Sequence, residues 1–164
     1  MTGYGLIGEK LEHSFSPQIH AMLGDYPYRL YPLTPQELPA FVRGGTLAGF
    51  NVTIPYKQQV MPLLDDISET ARSIGAVNTV IRRADGTLLG DNTDAYGFER
   101  MLGDAGRWKD AKALVLGSGG ASKTALHVLR HHGLKPVIIS RSGPDNYQNL
   151  HRHADAQVVV NTTP

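Results

Sequence analysis

Two short segments in the first half of the chain carry residue types able to hold a small polar ligand. His13-Ser14-Phe15-Ser16-Pro17 sets two hydroxyls at i and i+2, just ahead of a predicted helix. In extended backbone such residues face the same side, so Ser14 and Ser16 could hold one polar or anionic group; as a plain helix N-cap, Ser16 would need no ligand. Asn51-Val52-Thr53-Ile54-Pro55-Tyr56-Lys57 puts Asn51 and Thr53 on one strand face, with Lys57 one turn further on. A lysine there is ordinarily a surface charge. Desolvated in a cleft, it becomes a usable proton donor or acceptor. Gly75-Ala76-Val77-Asn78-Thr79 adds an amide at the start of a strand, and Gly90-Asp91-Asn92-Thr93-Asp94 brings two acids and a polar pair ahead of a helix, where Thr93 or Asp94 could serve only as its cap. Serines, Thr53, the amides of Asn51 and Asn78, Lys57 and Asp94 together suit a polyhydroxylated acid.

The second half offers a different chemistry. In Leu116-Gly117-Ser118-Gly119-Gly120-Ala121-Ser122-Lys123 a predicted strand enters glycines and a helix leaves. Such a turn lets a pyrophosphate approach the backbone at a helix N-terminus with free N–H groups. The third glycine of the G-x-G-x-x-G pattern is replaced by Ser122, whose small size still permits close packing. Without a ligand, the same residues are simply a glycine-rich strand-to-helix turn. An NAD site usually carries an acid about 20 residues on. Here Ile139 is followed by Ser140-Arg141-Ser142, with no acid. Arg141 can pair with a ribose 2′-phosphate and both serines can donate to it, which favours NADP over NAD; a solvated surface Arg141 is the plain alternative.

The elements that must position these groups follow from punctuation and pattern. Strands are predicted over 4–8, 28–33 and 49–54, with a helix from Ser16-Pro17 and a short one over 35–42. A helix is expected from Tyr56, ended or kinked by Pro62. Asp66-x-x-Glu69 resembles a capping box opening a helix toward Ile74. A hairpin over 76–83 and 87–90 turns at Asp85-Gly86. A helix over 94–102 and a hinge over 103–110 then lead into βαβαβ: strand 112–116, helix 122–132, strand 137–139, weak helix 147–153 and strand 158–160. Apolar strands of that kind suit a parallel sheet. The fold class expected is therefore α/β.

Composition narrows the field. Sixteen Lys+Arg against fifteen Asp+Glu leave a net charge of +1 with the signs mixed, which speaks against nucleic acid and against a polybasic membrane anchor. The absence of cysteine removes disulfides, thiolate metal sites and a Cys nucleophile. No leader pattern and no membrane-spanning apolar run is visible, so a cytoplasmic protein is expected. Glycine is over-represented, 18 of 164 residues, and the turn at 117–120 holds three of them.

Through the five motifs quoted above, in that order, the chain resembles the shikimate dehydrogenases, NADPH-dependent enzymes that reduce 3-dehydroshikimate to shikimate. The resemblance implies an N-terminal α/β substrate-binding and catalytic domain over 1–101 and an incomplete Rossmann-like NADP-binding domain over 102–164. By that resemblance Ser14 and Ser16 bind the substrate carboxylate, Lys57 and Asp94 are the catalytic pair, and Thr53 and Asn78 contact substrate hydroxyls or carboxylate, with Asn51 beside them. Gly117, Ser118, Gly119, Gly120 and Ala121 match the pyrophosphate turn. Ser140, Arg141 and Ser142 stand where the family typically has Asn-Arg-Thr for the 2′-phosphate. Asn161-Thr162-Thr163-Pro164 matches the start of a loop near the cofactor.

Lys10 stands where the family usually has Pro, and Ala21 where Asn follows the helix His. Members continue for roughly another hundred residues, about one further small domain, so the chain is expected to be a C-terminally truncated member. Two rivals follow: a shikimate-binding fragment without turnover, and a quinate/shikimate dehydrogenase using NAD. No metal is expected. His131, His132, His151 and His153 are read as exposed helix residues, His20 as a donor to its own helix backbone and Trp108 as a packing residue. Loss of half a cofactor sheet would leave an edge strand at 158–160, open to self-association.

Overall fold

The computed structural model describes residues 3–45 and 47–163. It falls into two compact units, Met1–Asn92 and Thr93–Pro164. The first contains β1 (Tyr4–Gly8), α1 (Ser16–Leu23), β2 (Tyr28–Pro32), α2 (Leu38–Arg43), β3 (Gly49–Val52), a 3₁₀ turn at Met61–Leu63, β4 (Asp66–Ile67), α3 (Glu69–Ile74), β5 (Thr79–Arg82) and β6 (Leu88–Asp91). Its sheet runs β2-β1-β3-β5-β6-β4. β1 lies parallel to β2 and β3, β5 is antiparallel to β3 and β6, and β4 is parallel to β6.

Strand alternation determines what each face carries. Ile7, Phe50, Val52, Val80 and Leu88 point into one core with Leu38 and Val42 of α2 and with Tyr56 and Val60. Phe50 and Val52 therefore leave Asn51 on the opposite face, and Val80 does the same for Thr79. The β3–β5 register sets Asn51 directly opposite Thr79. One hydrophobic period thus orients two polar side chains from distant parts of the chain.

Two sequence expectations fail in this unit. No α-helix follows Tyr56. The segment makes turns and the short 3₁₀ piece, because Pro55 and Pro62 bracket too few residues for a ladder of i→i−4 bonds. Asp66 does not cap α3, since it pairs as β4 against Leu89 of β6. The cap is Ser68, whose hydroxyl accepts from the Ala71 N–H at 3.1 Å, a contact of a kind that contributes about 1 kcal/mol.

The second unit contains α4 (Thr93–Leu102), a 3₁₀ turn at Ala105–Trp108, β7 (Lys112–Leu116), α5 (Gly120–His131), β8 (Lys135–Ile139), a 3₁₀ turn at Leu150–His153 and β9 (Val158–Asn161). Ala113, Val115, Ala125, Leu126, Leu129 and Leu134 form its core, with Phe98, Leu102, Trp108, Val158 and Val160 packed against it. Phe98 and Leu102 explain why the boundary falls at Asn92/Thr93 rather than at 101/102. α4 belongs to this core, and the residues expected as a hinge, 103–110, lie inside the unit.

The sheet is parallel throughout, as expected for a Rossmann-like unit, in the order β8-β7-β9. The βαβαβ reading needs correction here. In place of a helix over 147–153 there is only a 3₁₀ turn at Leu150–His153, and β9 pairs with β7. β7 therefore has the two strands that follow it, β8 and β9, on opposite sides, which opens a switch point at its C-terminal end.

Candidate functional site

The Ser14 hydroxyl donates to Ser16 Oγ at 3.1 Å and accepts the Ser16 N–H at 3.2 Å. Ser16 is the first residue of α1, behind Phe15, and caps nothing with its side chain. The two hydroxyls therefore sit as a pair, both half-buried. Tyr28 follows on β2. Burial pushes its phenol up to about 12, although a hydrogen bond with Ser16 pulls the other way, so near neutral pH it stays a donor. It gives that hydrogen to Asn51 Oδ1 at 2.8 Å.

The line continues across the sheet. Asn51 Nδ2 donates to Thr79 Oγ1 at 3.2 Å, and Thr79 Oγ1 donates to Asn78 Oδ1 at 3.0 Å. Each donor settles the orientation of the next amide. Ser14, Ser16, Asn51 and Asn78, widely separated in sequence, thus share one hydrogen-bonded line with Tyr28 and Thr79 as its links. Sequence reasoning missed Tyr28; a polar-tipped aromatic at i, i+2 register with an apolar strand face was its only signal. His20 stacks on Tyr28, with ring centroids 3.7 Å apart, and meets Tyr26 Oη through Nδ1 at 2.8 Å. It supports the tyrosines rather than the helix backbone.

Backbone bonds bring Thr53 and Lys57 to the same strand ends. The Val52 N–H donates to the Asn78 carbonyl and the Val77 N–H to the Lys57 carbonyl, both at 2.7 Å. The Thr53 N–H binds the Ile7 carbonyl at 2.9 Å. Tyr56, fully buried, donates to the Leu33 carbonyl at 2.5 Å and pins the turn that carries Lys57. Asp91 accepts from Ser68 Oγ at 2.6 Å and from the Asn92 N–H at 2.8 Å. Buried Asn92 holds the Ala76 carbonyl at 2.9 Å. Both brace the 76–78 segment. Asp94, the other acid of this motif, is half-buried in the first turn of α4 and part of the second unit.

In the second unit, β7 runs into Gly117 at φ 108°, where a Cβ would stand 2.9 Å from Thr162 Oγ1. Thr162 donates to the Leu116 carbonyl from both N–H and Oγ1, at 2.9 and 2.6 Å. Both backbone freedom and space demand glycine here. Gly119 is the N-cap of α5, extended, with no side-chain cap and no atom within 4 Å of where a Cβ would be. Buried Ser122 ties its hydroxyl to the Gly119 carbonyl at 2.6 Å. Ser118, Gly120 and Ala121 complete the turn. An uncapped helix N-terminus behind an open glycine fits a dinucleotide pyrophosphate. Arg141 and Ser142 are exposed just past β8, and Arg141 makes no hydrogen bond or ion pair with a described residue. Ser140 donates its N–H to the Asp145 carbonyl at 3.1 Å. Pro164 lies outside the described residues.

The histidines depart from expectation in two places. His132 Nε2 lies 2.8 Å from Glu99 Oε1, and His153 Nε2 lies 2.8 Å from Asp145 Oδ1 with its side chain only 10% exposed. Among the described residues no group of three or more His, Asp or Glu could hold a metal, and no helix is long and apolar enough to cross a membrane.

A mixed-sheet α/β unit joined to a Rossmann-like parallel unit, each with its own polar site, defines a class of two-part dinucleotide-dependent proteins. Comparison with known proteins narrows it. Residues 6–80 match the model of the shikimate dehydrogenase substrate binding domain. A curated relative from Oleidesulfovibrio alaskensis, described as shikimate dehydrogenase (NADP(+)), is 42% identical over 98% of this chain and 64% of its own length. One of the same description from Clostridium beijerinckii is 39% identical over 100% of the chain and 68% of its own length. The crystal structure of shikimate dehydrogenase 1 from Peptoclostridium difficile superposes with a TM-score of 0.89 at 34% identity, covering 100% of this chain and 68% of that one. The chain belongs to the shikimate dehydrogenase family. It spans about two thirds of the length of these curated relatives.

Proposed function

We propose that this chain carries the substrate-binding unit and the first part of the cofactor unit of an NADP-dependent shikimate dehydrogenase, which interconverts 3-dehydroshikimate and shikimate. The observation that carries the reading is the hydrogen-bonded line from Ser14 to Asn78, a row of hydroxyls and amides suited to an acid with several hydroxyl groups. In this reading Ser14 and Ser16 hold the carboxylate, and Asn51, Thr53 and Asn78 take up ring hydroxyls. NADPH, when bound, supplies the hydride. Lys57 Nζ delivers a proton to the ketone oxygen as it becomes an alkoxide and stabilises the negative charge before transfer. Asp94 is the second member of the proposed catalytic pair. Gly117, Ser118, Gly119, Gly120 and Ala121 take the pyrophosphate on backbone donors, and Ser140, Arg141 and Ser142 take the 2′-phosphate.

The cytoplasm is the compartment proposed. Self-association through β9 belongs to the same reading; it is an edge of the described sheet, and Val159 is 61% exposed. A monomer by light scattering at high concentration would remove that element.

The test is nicotinamide absorbance with this chain and shikimate, run with NADP⁺ and with NAD⁺. Reduction of NADP⁺ alone is expected. Equal rates with NAD⁺ would overturn the cofactor assignment. Silence with both, while calorimetry still reports shikimate binding, would favour a binding fragment. Loss of binding as well would sink the reading.

A further inference from the structure

The connection over 140–157 follows β8 and presents Arg141 and Ser142. None of its residues is among the side chains that form or pack against the core of the second unit. Its shape rests on polar bonds instead. Ser140 N–H binds the Asp145 carbonyl at 3.1 Å, Gly143 N–H returns to the Ser140 carbonyl at 3.4 Å, and Asn149 Nδ2 holds the Pro144 carbonyl at 2.8 Å. All of those groups are exposed or half-exposed. The covered polar side chain here is His153, 10% exposed, and its Nε2–H donates to Asp145 Oδ1 at 2.8 Å. Its Nδ1 is buried with no hydrogen-bond partner among the described residues. An orphaned ring nitrogen is unfavourable, and the bond to Asp145 is what offsets it. Asp145 therefore faces two ways: its side chain holds His153, and its main chain holds Ser140.

We propose that His153 is a positioning residue for phosphate recognition: through Asp145 it holds Ser140-Arg141-Ser142 in the shape that accepts a ribose 2′-phosphate. It thereby sets discrimination between phosphorylated and unphosphorylated dinucleotides without touching either. The inference rests on the NADP reading above. Arg141 supplies the charge, but a charge on an unbraced loop is ordered only at the moment of binding, and that ordering weakens affinity.

The experiment is calorimetric titration of the full chain with adenosine 2′,5′-bisphosphate and with adenosine 5′-monophosphate. It compares the unaltered protein, His153→Phe, which fills the site without a donor, and His153→Gln, which keeps a donor at the reach of Nε2. The Phe variant should lose about tenfold in affinity for the bisphosphate and less than about twofold for the monophosphate, the size of one charge-assisted hydrogen bond. The Gln variant should recover most of the loss. A purely structural role would weaken both ligands together, and that result overturns the inference. So does a Phe variant that keeps the original preference, an outcome that leaves the NADP reading standing. An unaltered protein with no preference for the 2′-phosphate sinks the NADP reading and the inference with it. If His153→Phe does not fold, Asp145→Asn keeps the carbonyl to Ser140 and weakens the link to His153. A lowered preference in that variant supports the proposal, and an unchanged one overturns it.

Discussion

The two units build their polar sites from opposite materials. In the first, the groups are side chains from α1 and the residues just before it, from β2 and β3, and from β5 and the residue before it, each oriented by its neighbour's hydrogen bond, from Ser14 through Tyr28 and Asn51 to Asn78. In the second, the turn from Gly117 to Ala121 is contiguous in sequence and offers main chain. The features that count there are a positive φ, an empty space and an uncapped helix end. A side-chain network can match the hydroxyl pattern of one small molecule, whereas backbone donors read a diphosphate that many cofactors share. It follows that loss of a side chain should damage the first site, and addition of a methyl group the second.

The largest effect expected is at Lys57. Replacement by Ala removes the proposed proton donor, and turnover should fall by about 10² to 10⁴, the usual contribution of general acid–base catalysis. Shikimate affinity measured by calorimetry should change by less than about tenfold, since the hydrogen-bonded line is left intact. Near-normal turnover would strip Lys57 of its role. An equal loss in binding and turnover would make it a plain substrate anchor.

Two glycines divide the second site more finely. Gly117→Val forces a β-branched residue into φ 108° and toward Thr162 Oγ1, and should cost about 1–3 kcal/mol of stability in a urea titration. Gly119→Ala meets no atom within 4 Å at φ −83°, so stability should stay within about 0.5 kcal/mol. Its methyl would nonetheless stand where the pyrophosphate approaches, and NADP⁺ affinity should drop several-fold. If Gly119→Ala binds NADP⁺ normally, main-chain approach at that position is wrong.

The same contrast explains what could be read in advance. The glycine turn was legible because its elements are contiguous: an apolar strand, glycines and an amphipathic helix in one short stretch. Asn51 and Thr53 were legible as a strand face. Their partners were not, because Tyr28 and Thr79 reach Asn51 only through sheet pairing, and no local pattern states that β1 lies between β2 and β3. The misread helix after Tyr56 had a local answer in Pro55 and Pro62. The strand order β8-β7-β9 had none, since β9 looks the same in sequence on either side of the sheet. His153 escaped for a related reason. Its partner Asp145 lies eight residues back, across a connection with no regular period, so neither burial nor pairing shows in the pattern.

Tyr28 offers the subtlest test of whether the first site is a network or only a row of neighbours. Its phenol is held up at about 12, chiefly by burial, against an ordinary value of 10.0. As pH rises past about 10 the unfolded chain loses this proton while the folded chain keeps it, so the unfolded state binds fewer protons and stability falls with pH. The contribution is complete below pH 10 and lost by about 12. Tyr28→Phe removes it together with the bond to Asn51, so the variant should be less stable at neutral pH by about 1 kcal/mol. Its stability should then decline less steeply than that of the unaltered protein between pH 10 and 12. The other six tyrosines are common to both chains and cancel in the difference of urea midpoints. Parallel curves would mean that the Tyr28 hydroxyl is solvated and that Asn51 is oriented by Thr79 alone.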